Sequence, residues 1–460
     1  MRYNIIFLSF ILFTSCSISR YNYSKIEIDI NHLKEKLVEI HPSPFFSLTE
    51  DDFNHFLDSL KNDIIKDRKK SQKELYVELN KIMTKLKDGH TQLGVPSKVA
   101  FKGFFWGSKI LPLVFDYKDN QLYMNVNLKT EELYERYEFR VLKINDRDVD
   151  DLLNELMTHY YGINEDFVRY QISMLALTRE LWLYFDMNKR FTVEYLTPDS
   201  TIEKLSLKGI SQPSYHSKYY SKLTDNKEKI IRTIESKNGF YQELVPEKLA
   251  VIRYAYFGSM QDTIFFNEVF DLAKEKNIEN LILDLRGNMG GTTNLFTPIL
   301  SHLTNDTIYY FSKIEYKLSN DFIENKTLGA DFNYEKTDSI ITINNDVFLL
   351  VDNNNDNLFK GKLYVLIDSG VFSTASAFCA IIKDYNLGVL IGEPTGGVGS
   401  SFGNSLNTKL PNSKIPLSIS SGRFYRPNGD NSFTPVIPDI RISLSDNKYL
   451  YNEISKIIFQ

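Results

Sequence analysis

The feature that most constrains this chain is a regular alternation of strand-like and helix-like segments from about Glu247 to Gln460. Strand patterns in "KLAVIRYAYF", "ENLILDL", "GKLYVLIDS" and "LGVLIG" alternate with helical patterns or glycine-rich loops. Such alternation is typical of a largely parallel sheet flanked by helices, with the functional site on loops at the carboxyl ends of the strands. We therefore predict an α/β fold here. In its first helix, "DTIFFNEVFDLAKEKN", we expect Ile264, Val269, Phe270 and Leu272 to face inward.

The part of the chain before Glu247 has different sequence patterns. Helical periodicity dominates from about Lys25 to Lys87, and Pro42 and Pro44 stop the first helix. The segment "ILPLVFDYKDNQLYMNVNL" alternates about a polar break and predicts a hairpin, while "YEFRVLKINDRDVDDLLNELM" predicts strand, turn and helix. The polar stretch from about Ser211 to Glu247 is expected to be a loop-like connection.

Composition excludes some functions. The chain has 460 residues, of which 42% are hydrophobic and 25% charged, as in an ordinary globular protein. Its formal net charge is -5, which gives no reason to predict a nucleic-acid partner. No pattern in the sequence calls for a metal or another cofactor.

The amino terminus has the pattern of an export signal. Arg2 precedes a short apolar run and then small residues, and the run is too short to span a bilayer. Cys16 directly follows "FTS", which resembles the cleavage site of bacterial lipoproteins, where the cysteine is acylated. An ordinary signal peptide that happens to contain a cysteine is the alternative. Cys379 is the only other cysteine, so acylation of Cys16 would leave no internal disulfide.

Candidate chemistry lies on the glycine-rich loops. The loop "RGNMGG" carries Gly290 and Gly291, whose backbone N–H groups can form an oxyanion-binding nest or simply a tight turn. Ser373 falls where a strand turns into a helix, which suits either a helix N-cap or a nucleophile near a helix N-terminus. A nucleophilic serine needs a base. His90 is the best placed of the seven histidines, in the loop-like "KLKDGHTQLG", although a surface histidine is the alternative.

Together these segments resemble the C-terminal-processing and tricorn-core family of serine peptidases. The resemblance is carried, in order, by "HPSPFF", "KLKDGHTQL", "NLILDLRGNMGG", "GKLYVLIDSGVFSTASAF", "IGEPTGG" and "PVIPDI". The processing branch places a lysine base in the region that reads "TGGVGS" here, with Val398 and no lysine. The tricorn-type branch uses a histidine, which His90 matches.

The resemblance implies site roles. Ser373, rather than Ser376, would be the nucleophile, and His90 would be its base. The N–H of Thr374 and that of Gly290 or Gly291 would form the oxyanion hole. A carboxylate near the carboxyl end would orient the histidine, but that place falls at about Ser432 here. Asp430 is the nearest substitute.

The resemblance also implies an architecture. It predicts a signal at 1–16, a helical domain at 17–98, a PDZ-like domain at 99–210 and a crotonase/ClpP-like catalytic domain at 211–460, with its core from about 247. The expected function is hydrolysis of peptide or protein substrates by an enzyme lipid-anchored in the bacterial cell envelope, facing the periplasm or the cell surface. A catalytically inactive member that binds peptides or another ligand is the alternative, and the sequence leaves the oligomeric state open.

Overall fold

The computed structural model describes residues 20–67, 69–105, 109–130, 132–134, 138–187, 189–211, 214, 233–244, 248–325, 335–337, 339–344, 348–349, 358–443 and 450–459. The predicted signal segment 1–16, with Cys16, lies outside these residues. Within the described part of the chain, no helix has the length and apolar character needed to cross a bilayer.

The amino-terminal region is mainly helical, as predicted. Its elements are β1 (Arg20–Asn22), α1 (Tyr23–Ile40), α2 (Glu50–Asp67), β2 (Lys69–Ser71), α3 (Gln72–Met83), β3 (Gln92–Leu93) and α4 (Ser97–Phe105). Ser71 and Glu74 form a capping box that fixes the start of α3. A short 3₁₀ turn, Thr84–Leu86, follows α3 and ends at Lys87 in the left-handed conformation (φ 56°), which turns the chain sharply toward the sheet regions.

The middle region is built on an antiparallel sheet. Its elements are β4 (Leu113–Lys118), β5 (Gln121–Asn127), β6 (Glu132–Leu133), β7 (Arg140–Ile144), β8 (Arg147–Asp148), α5 (Val149–Met157), α6 (Glu165–Gln171), α7 (Leu181–Tyr184), β9 (Arg190–Leu196) and β10 (Ile202–Lys208). A π-helical stretch, Ile172–Glu180, joins α6 to α7. The predicted hairpin is confirmed, since β4 and β5 pair with each other and are joined by a turn at Asp119 and Asn120. Both turn residues have positive φ, as a tight hairpin turn requires.

The carboxy-terminal region contains the expected α/β fold. Its elements are β11 (Thr233–Glu235), β12 (Gly239–Leu244), β13 (Leu249–Tyr254), α8 (Asp262–Glu275), β14 (Asn280–Asp284), α9 (Phe296–Leu300), β15 (Ile308–Tyr309), β16 (Lys313–Lys317), α10 (Asn320–Asn325), β17 (Glu335–Thr337), β18 (Ile340–Asn344), β19 (Phe348–Leu349), β20 (Lys362–Ile367), α11 (Thr374–Asp384), β21 (Val389–Gly392), β22 (Ser401–Lys409), β23 (Pro416–Tyr425), β24 (Ile440–Arg441) and α12 (Leu450–Ile458).

Two sheets position the site in this region. The central sheet has the order β11-β12-β13-β14-β20-β21-β24 and is parallel from β13 to β24. A second, antiparallel sheet runs β17-β18-β16-β23-β22, and β3 of the amino-terminal region also pairs with β23. The second sheet therefore joins the amino-terminal and carboxy-terminal regions directly.

Two details of the sequence prediction were wrong. Part of the predicted connection, residues 233–244, forms β11 and β12 at the antiparallel edge of the central sheet. The polar Gln242 and Glu243 are buried within β12, which hid the strand pattern. In α8, Ile264 is 64% exposed. The inward face of this helix is formed instead by Phe265, Phe266, Val269 and Phe270, which are buried.

The hydrophobic cores show how the regions depend on each other. One core includes residues of α1, α3, the central sheet and α11, represented by Leu33, Leu79, Ile252 and Phe378. The middle region has a core of its own, which includes Phe115. The amino-terminal helices thus share one hydrophobic core with the carboxy-terminal region. This shared core holds the loop after α3 against the carboxy-terminal region. The sequence-based domain boundaries remain predictions.

Candidate active site

Ser373 lies at the sharp turn between β20 and α11. Its φ is 53° and its ψ is -126°, a strained combination for a residue with a side chain. Its side chain makes no capping hydrogen bond to the helix, so the N-cap alternative is not what the structure shows. The turn instead presents the hydroxyl outward at the amino terminus of α11.

This strain leads to a prediction about stability. Glycine adopts positive φ without the steric cost that a side chain carries, and strained positions store about 1–3 kcal/mol. Ser373→Gly is therefore expected to raise the free energy of unfolding by about 1 kcal/mol relative to Ser373→Ala, as measured by urea denaturation. Equal stability of the two variants would show that the turn is not strained in the folded protein.

His90 reaches the same place from the amino-terminal region. It follows the turn after α3, and β3 begins two residues later and pairs with β23 through Leu93 and Leu417. Ser405 of β22 donates a hydrogen bond to the carbonyl of His90 at 3.0 Å. Both flanks of the loop are thus fixed to the second sheet, which holds the imidazole over the cleft.

The structure brings His90 and Ser373 into contact. His90 Nε2 lies 2.8 Å from Ser373 Oγ, a normal hydrogen-bond distance. The imidazole also stacks on the ring of Phe372, with ring centroids 5.0 Å apart and planes inclined by 22°. Phe167 of α6 stacks in turn on the ring of Phe372, with ring centroids 4.3 Å apart. The middle region therefore also contributes to the packing beneath the site. This is the geometry of a serine with an adjacent base.

Ser376 lies one turn further along α11 and is fully buried. Its hydroxyl donates to the carbonyl of Val371 at 3.0 Å. The Ser376 hydroxyl is therefore engaged with the loop that precedes Ser373. His90 contacts the hydroxyl of Ser373 instead.

The carboxylate beside His90 is Asp88. Its Oδ1 accepts the backbone N–H of His90 at 3.0 Å and lies 3.9 Å from the ring Nδ1. Its Oδ2 lies 3.2 Å from His41 Nε2 and accepts the hydroxyl of Ser420 at 2.6 Å. Burial alone would raise the pKa of Asp88, but the hydrogen bonds from His41 and Ser420 and the nearby His90 hold it well below its usual range. Asp88 is therefore ionised at neutral pH.

The environment of His90 keeps the ring neutral. Burial lowers the pKa of His90 from its usual 6.5, and the negative charge of Asp88 opposes that effect without reversing it. At pH 7 the ring is therefore unprotonated and able to accept a proton at Nε2.

Asp430, the orienting residue suggested by the sequence, is placed elsewhere. Its carboxylate accepts hydrogen bonds from the backbone N–H and the hydroxyl of Ser432, both at 2.9 Å, within an exposed turn. No contact with His90 is formed, and the carboxylate next to the imidazole is that of Asp88. The two residues are separated because the turn at 428–432 is held by its own side chains and by Asp384.

The three candidate oxyanion donors are close together but not equivalent. The N–H of Gly290 donates to Asn288 Oδ1 at 2.9 Å, so it is engaged within its own loop. No hydrogen bond from the N–H of Gly291 or Thr374 is formed to any described residue. The Thr374 hydroxyl donates to the carbonyl of Gly291 at 2.8 Å and ties the two loops together. Gly291 and Thr374 are therefore the pair with N–H groups available.

Gly290 has a second role, which comes from its lack of a side chain. Its φ is 97°, and a Cβ at this position would lie 2.8 Å from the Thr374 nitrogen and 2.9 Å from Ser373 Cβ. The glycine therefore leaves open the space beside Ser373 that a side chain would fill.

A partly buried carboxylate, that of Asp368, connects these two loops. Asp368 Oδ1 accepts the N–H of Gly287 at 2.8 Å and that of Gly370 at 3.0 Å. Burial raises the pKa of Asp368, and these hydrogen bonds and the nearby Arg286 oppose the rise. The carboxylate thus joins the glycine loop at 286–291 to the loop that precedes Ser373.

The cleft over Ser373 is partly apolar. Its lining combines the loop of His90 with apolar and glycine positions of the middle and catalytic regions, among them Ile163, Phe372, Val398 and Phe402. Val398 occupies the region where the processing branch has its lysine. No set of three or more histidine, cysteine, aspartate or glutamate side chains able to hold a metal is found in the described parts of the chain.

Comparison with known proteins places this geometry in a family. Residues 248–442 match the model of peptidase family S41. The match covers less than half of the chain and shows that its carboxy-terminal region is similar to peptidase family S41. The protein is accordingly a hydrolase of the serine-peptidase type, and the resemblance seen in the sequence is confirmed. The residues that carry out catalysis remain a prediction.

Solved structures share the fold of this chain at low sequence identity. Mature CPAF complexed with lactacystin is 15% identical, with 95% of this chain and 98% of that chain covered and a TM-score of 0.68. A mutant of CPAF is 16% identical over 95% and 96% of the two chains, with a TM-score of 0.71. A candidate peptidase from Parabacteroides merdae is 15% identical over 95% and 96%, with a TM-score of 0.52. No curated protein matches the chain significantly.

Sequence reasoning missed Asp88, His41 and Ser420. Asp88 is two residues before His90, and this "DGH" spacing was a local signal that could have suggested it. His41 belongs to "HPSPFF", which supported the resemblance without being given a role. Ser420 lies in β23, and nothing in the surrounding sequence distinguishes it from other strand serines.

Proposed function

We propose that this S41 member is an active serine peptidase in which Ser373 is the nucleophile and His90 its general base. The observation that carries the proposal is the 2.8 Å contact between Ser373 Oγ and His90 Nε2. The strained turn that exposes Ser373 and the lowered pKa of His90 support the same assignment.

The proposed reaction follows the roles of a serine hydrolase. His90 Nε2 takes the proton of Ser373 as its oxygen attacks the peptide carbonyl. The negative charge on the former carbonyl oxygen is stabilised by the N–H groups of Thr374 and Gly291 and by the amino terminus of α11. His90 then gives the proton to the leaving amine, and a water activated by the same ring releases the acyl group.

Asp88 supports this reaction electrostatically. Acceptance of the proton makes the imidazole positive, and the ionised carboxylate at 3.9 Å from Nδ1 stabilises that charge. Because the distance exceeds a hydrogen bond, the two groups need to approach each other when substrate binds. Catalytic hydrogen bonds are often long before substrate is present.

Hydrolysis of unstructured protein substrates tests the proposal. The purified protein lacking residues 1–16 is incubated with casein and with a library of fluorogenic peptides, and new amino termini are measured. Substrate turnover by this protein, absent from a Ser373→Ala preparation purified in parallel, supports the peptidase. Absence of turnover together with tight peptide binding would instead support the inactive, ligand-binding alternative.

We also propose that the enzyme is anchored in the bacterial cell envelope through acylated Cys16. The support is the sequence pattern of residues 1–16, a short apolar run followed by small residues and the cysteine. Stable anchoring needs more than one acyl chain, since a single chain gives only marginal binding.

Replacement of the proposed lipid attachment site gives a direct prediction. In a bacterial host, Cys16→Ser is expected to move the protein from the detergent phase to the aqueous phase in Triton X-114 partitioning. Metabolic labelling with a palmitate analogue should mark the unmodified protein and leave the variant unlabelled. Cys379→Ser, which alters a buried thiol, is the matched control and should retain the label. A Cys16→Ser protein that stays in the detergent phase would contradict the anchor.

A further inference from the structure

The carboxylate of Asp88 is buried, and its two oxygens have different partners. Oδ1 accepts the backbone N–H of His90 at 3.0 Å and faces the ring Nδ1. Oδ2 is held by His41 Nε2 at 3.2 Å and by the hydroxyl of Ser420 at 2.6 Å. The donors on Oδ2 therefore help to fix the orientation that points Oδ1 at His90.

His41 is well suited to be one of these donors. It directly follows α1, is only 1% exposed, and its ring packs against Phe402 with centroids 4.5 Å apart. The backbone N–H of Ser43 donates to its Nδ1 at 3.0 Å. An imidazole that accepts at Nδ1 carries its hydrogen at Nε2 when neutral, so Nε2–H points at Asp88. The tautomer is thus fixed by the chain segment that follows the helix.

We propose that His41 is a positioning residue of the peptidase site, which helps to fix Asp88 so that its Oδ1 faces the ring of His90. The inference rests on the proposed function, because it gives His41 a role in the reaction assigned to Ser373 and His90. It adds a second histidine to the site, one that does not contact the reacting atoms and acts through Asp88.

The physical consequence concerns the charge that His90 experiences. Without the Nε2–H donor, Asp88 keeps Ser420 on Oδ2 and the backbone N–H of His90 on Oδ1, and its carboxylate is held less firmly toward the His90 ring. The charged and titratable groups around this site are Asp88 and Lys87 on the loop, His41 after α1, and Arg423 of β23, which lies over the Phe402 ring at 5.8 Å. Asp88 is the group that raises the pKa of His90, so weaker contact should lower that pKa further.

Two substitutions separate positioning from simple packing. His41→Gln keeps an N–H donor near the position of Nε2, whereas His41→Phe keeps an aromatic ring against Phe402 but loses both hydrogen bonds. If His41 positions Asp88, His41→Phe should lower kcat/KM by roughly 10- to 100-fold, by analogy with the loss of residues that orient metal ligands. It should also move the acid-side midpoint of the pH–rate profile to lower pH. His41→Gln should stay within a few-fold of the unmodified enzyme.

Other outcomes would overturn the inference. A uniform loss of rate in His41→Phe with an unchanged midpoint would show that His41 serves the fold alone. Should His41→Phe fail to fold, His41→Asn keeps an acceptor for the Ser43 N–H, loses the donor toward Asp88, and is expected to give the same shift of the midpoint.

A measurement without turnover keeps this inference separate from the proposed function. In a Ser373→Ala background, the His90 ring is titrated by NMR after isotopic labelling of histidine, with His90→Gln used to assign its signal. His41→Phe or His41→Asn should lower the pKa of His90 relative to Ser373→Ala alone. An unchanged pKa overturns the role of His41 even if peptidase activity is found, whereas absence of activity with a shifted pKa overturns only the peptidase.

Discussion

Ser373→Ala is expected to abolish peptide hydrolysis while leaving the fold intact. The proposed reaction passes through a covalent acyl group on Ser373 Oγ, and alanine has no atom that can form it. Loss of a serine nucleophile typically costs about 10⁶-fold in kcat, so turnover should fall to the detection limit. The hydroxyl makes no capping bond to α11, so the circular dichroism spectrum should not change. The measurement is kcat/KM on a fluorogenic peptide that the unmodified enzyme cleaves.

Ser376→Ala is the matched control for this result. Ser376 is three residues further along α11, and its hydroxyl is used by the carbonyl of Val371. Its loss removes one buried hydrogen bond, which contributes about 1 kcal/mol to stability, and should leave hydrolysis in place. Activity that depends on Ser376 and survives the loss of Ser373 would mean that the wrong serine has been assigned.

His90→Ala is expected to lower kcat/KM by roughly 10⁴-fold or more, as the loss of a catalytic histidine does in other serine hydrolases. The pH–rate profile of the unmodified enzyme should rise with a single ionisation whose midpoint lies below the ordinary histidine value of 6.5. The sign follows from the base role. Neutral His90 is the active form, and because burial lowers its pKa, activity persists to lower pH than a solvent-exposed histidine would allow.

Two results would count against this assignment. Normal turnover by His90→Ala would point to a different base. A midpoint above 7 in the unmodified enzyme would indicate a base whose pKa is raised, contrary to the burial of His90. His55→Ala, which changes a histidine of α2 away from the cleft, is the control for general effects of histidine removal.

The meeting of the Ser373 turn and the glycine loop of Gly290 could be predicted from the sequence because the signals for both are local. Ser373 and Gly290 both follow short apolar strands, and parallel strands bring their carboxyl ends to the same edge of a sheet. The position of His90 is harder to predict, because its approach to Ser373 depends on the pairing of β3 with β23, a contact between distant parts of the chain. The resemblance to a family supplied what periodicity could not.

The surroundings of His90 could not be predicted in the same way. Asp430 was chosen by its place in the family pattern, but hydrogen bonds within its own turn hold it away from the imidazole. The site of Asp88 depends on the left-handed Lys87 and on donors from α1 and β23, which are far apart in sequence. Such a buried network is determined by tertiary packing, and no single segment contains its signal.

The proposed catalytic pair is tested most directly by identifying the residue that reacts with a fluorophosphonate probe, by peptide mass spectrometry of the labelled protein at several pH values. We expect a single adduct, on Ser373. Its rate of formation should rise through an ionisation below pH 6.5 and should be strongly reduced in His90→Ala. No labelling of the folded protein, an adduct on another serine, or labelling of Ser373 at the same rate without His90 would contradict it.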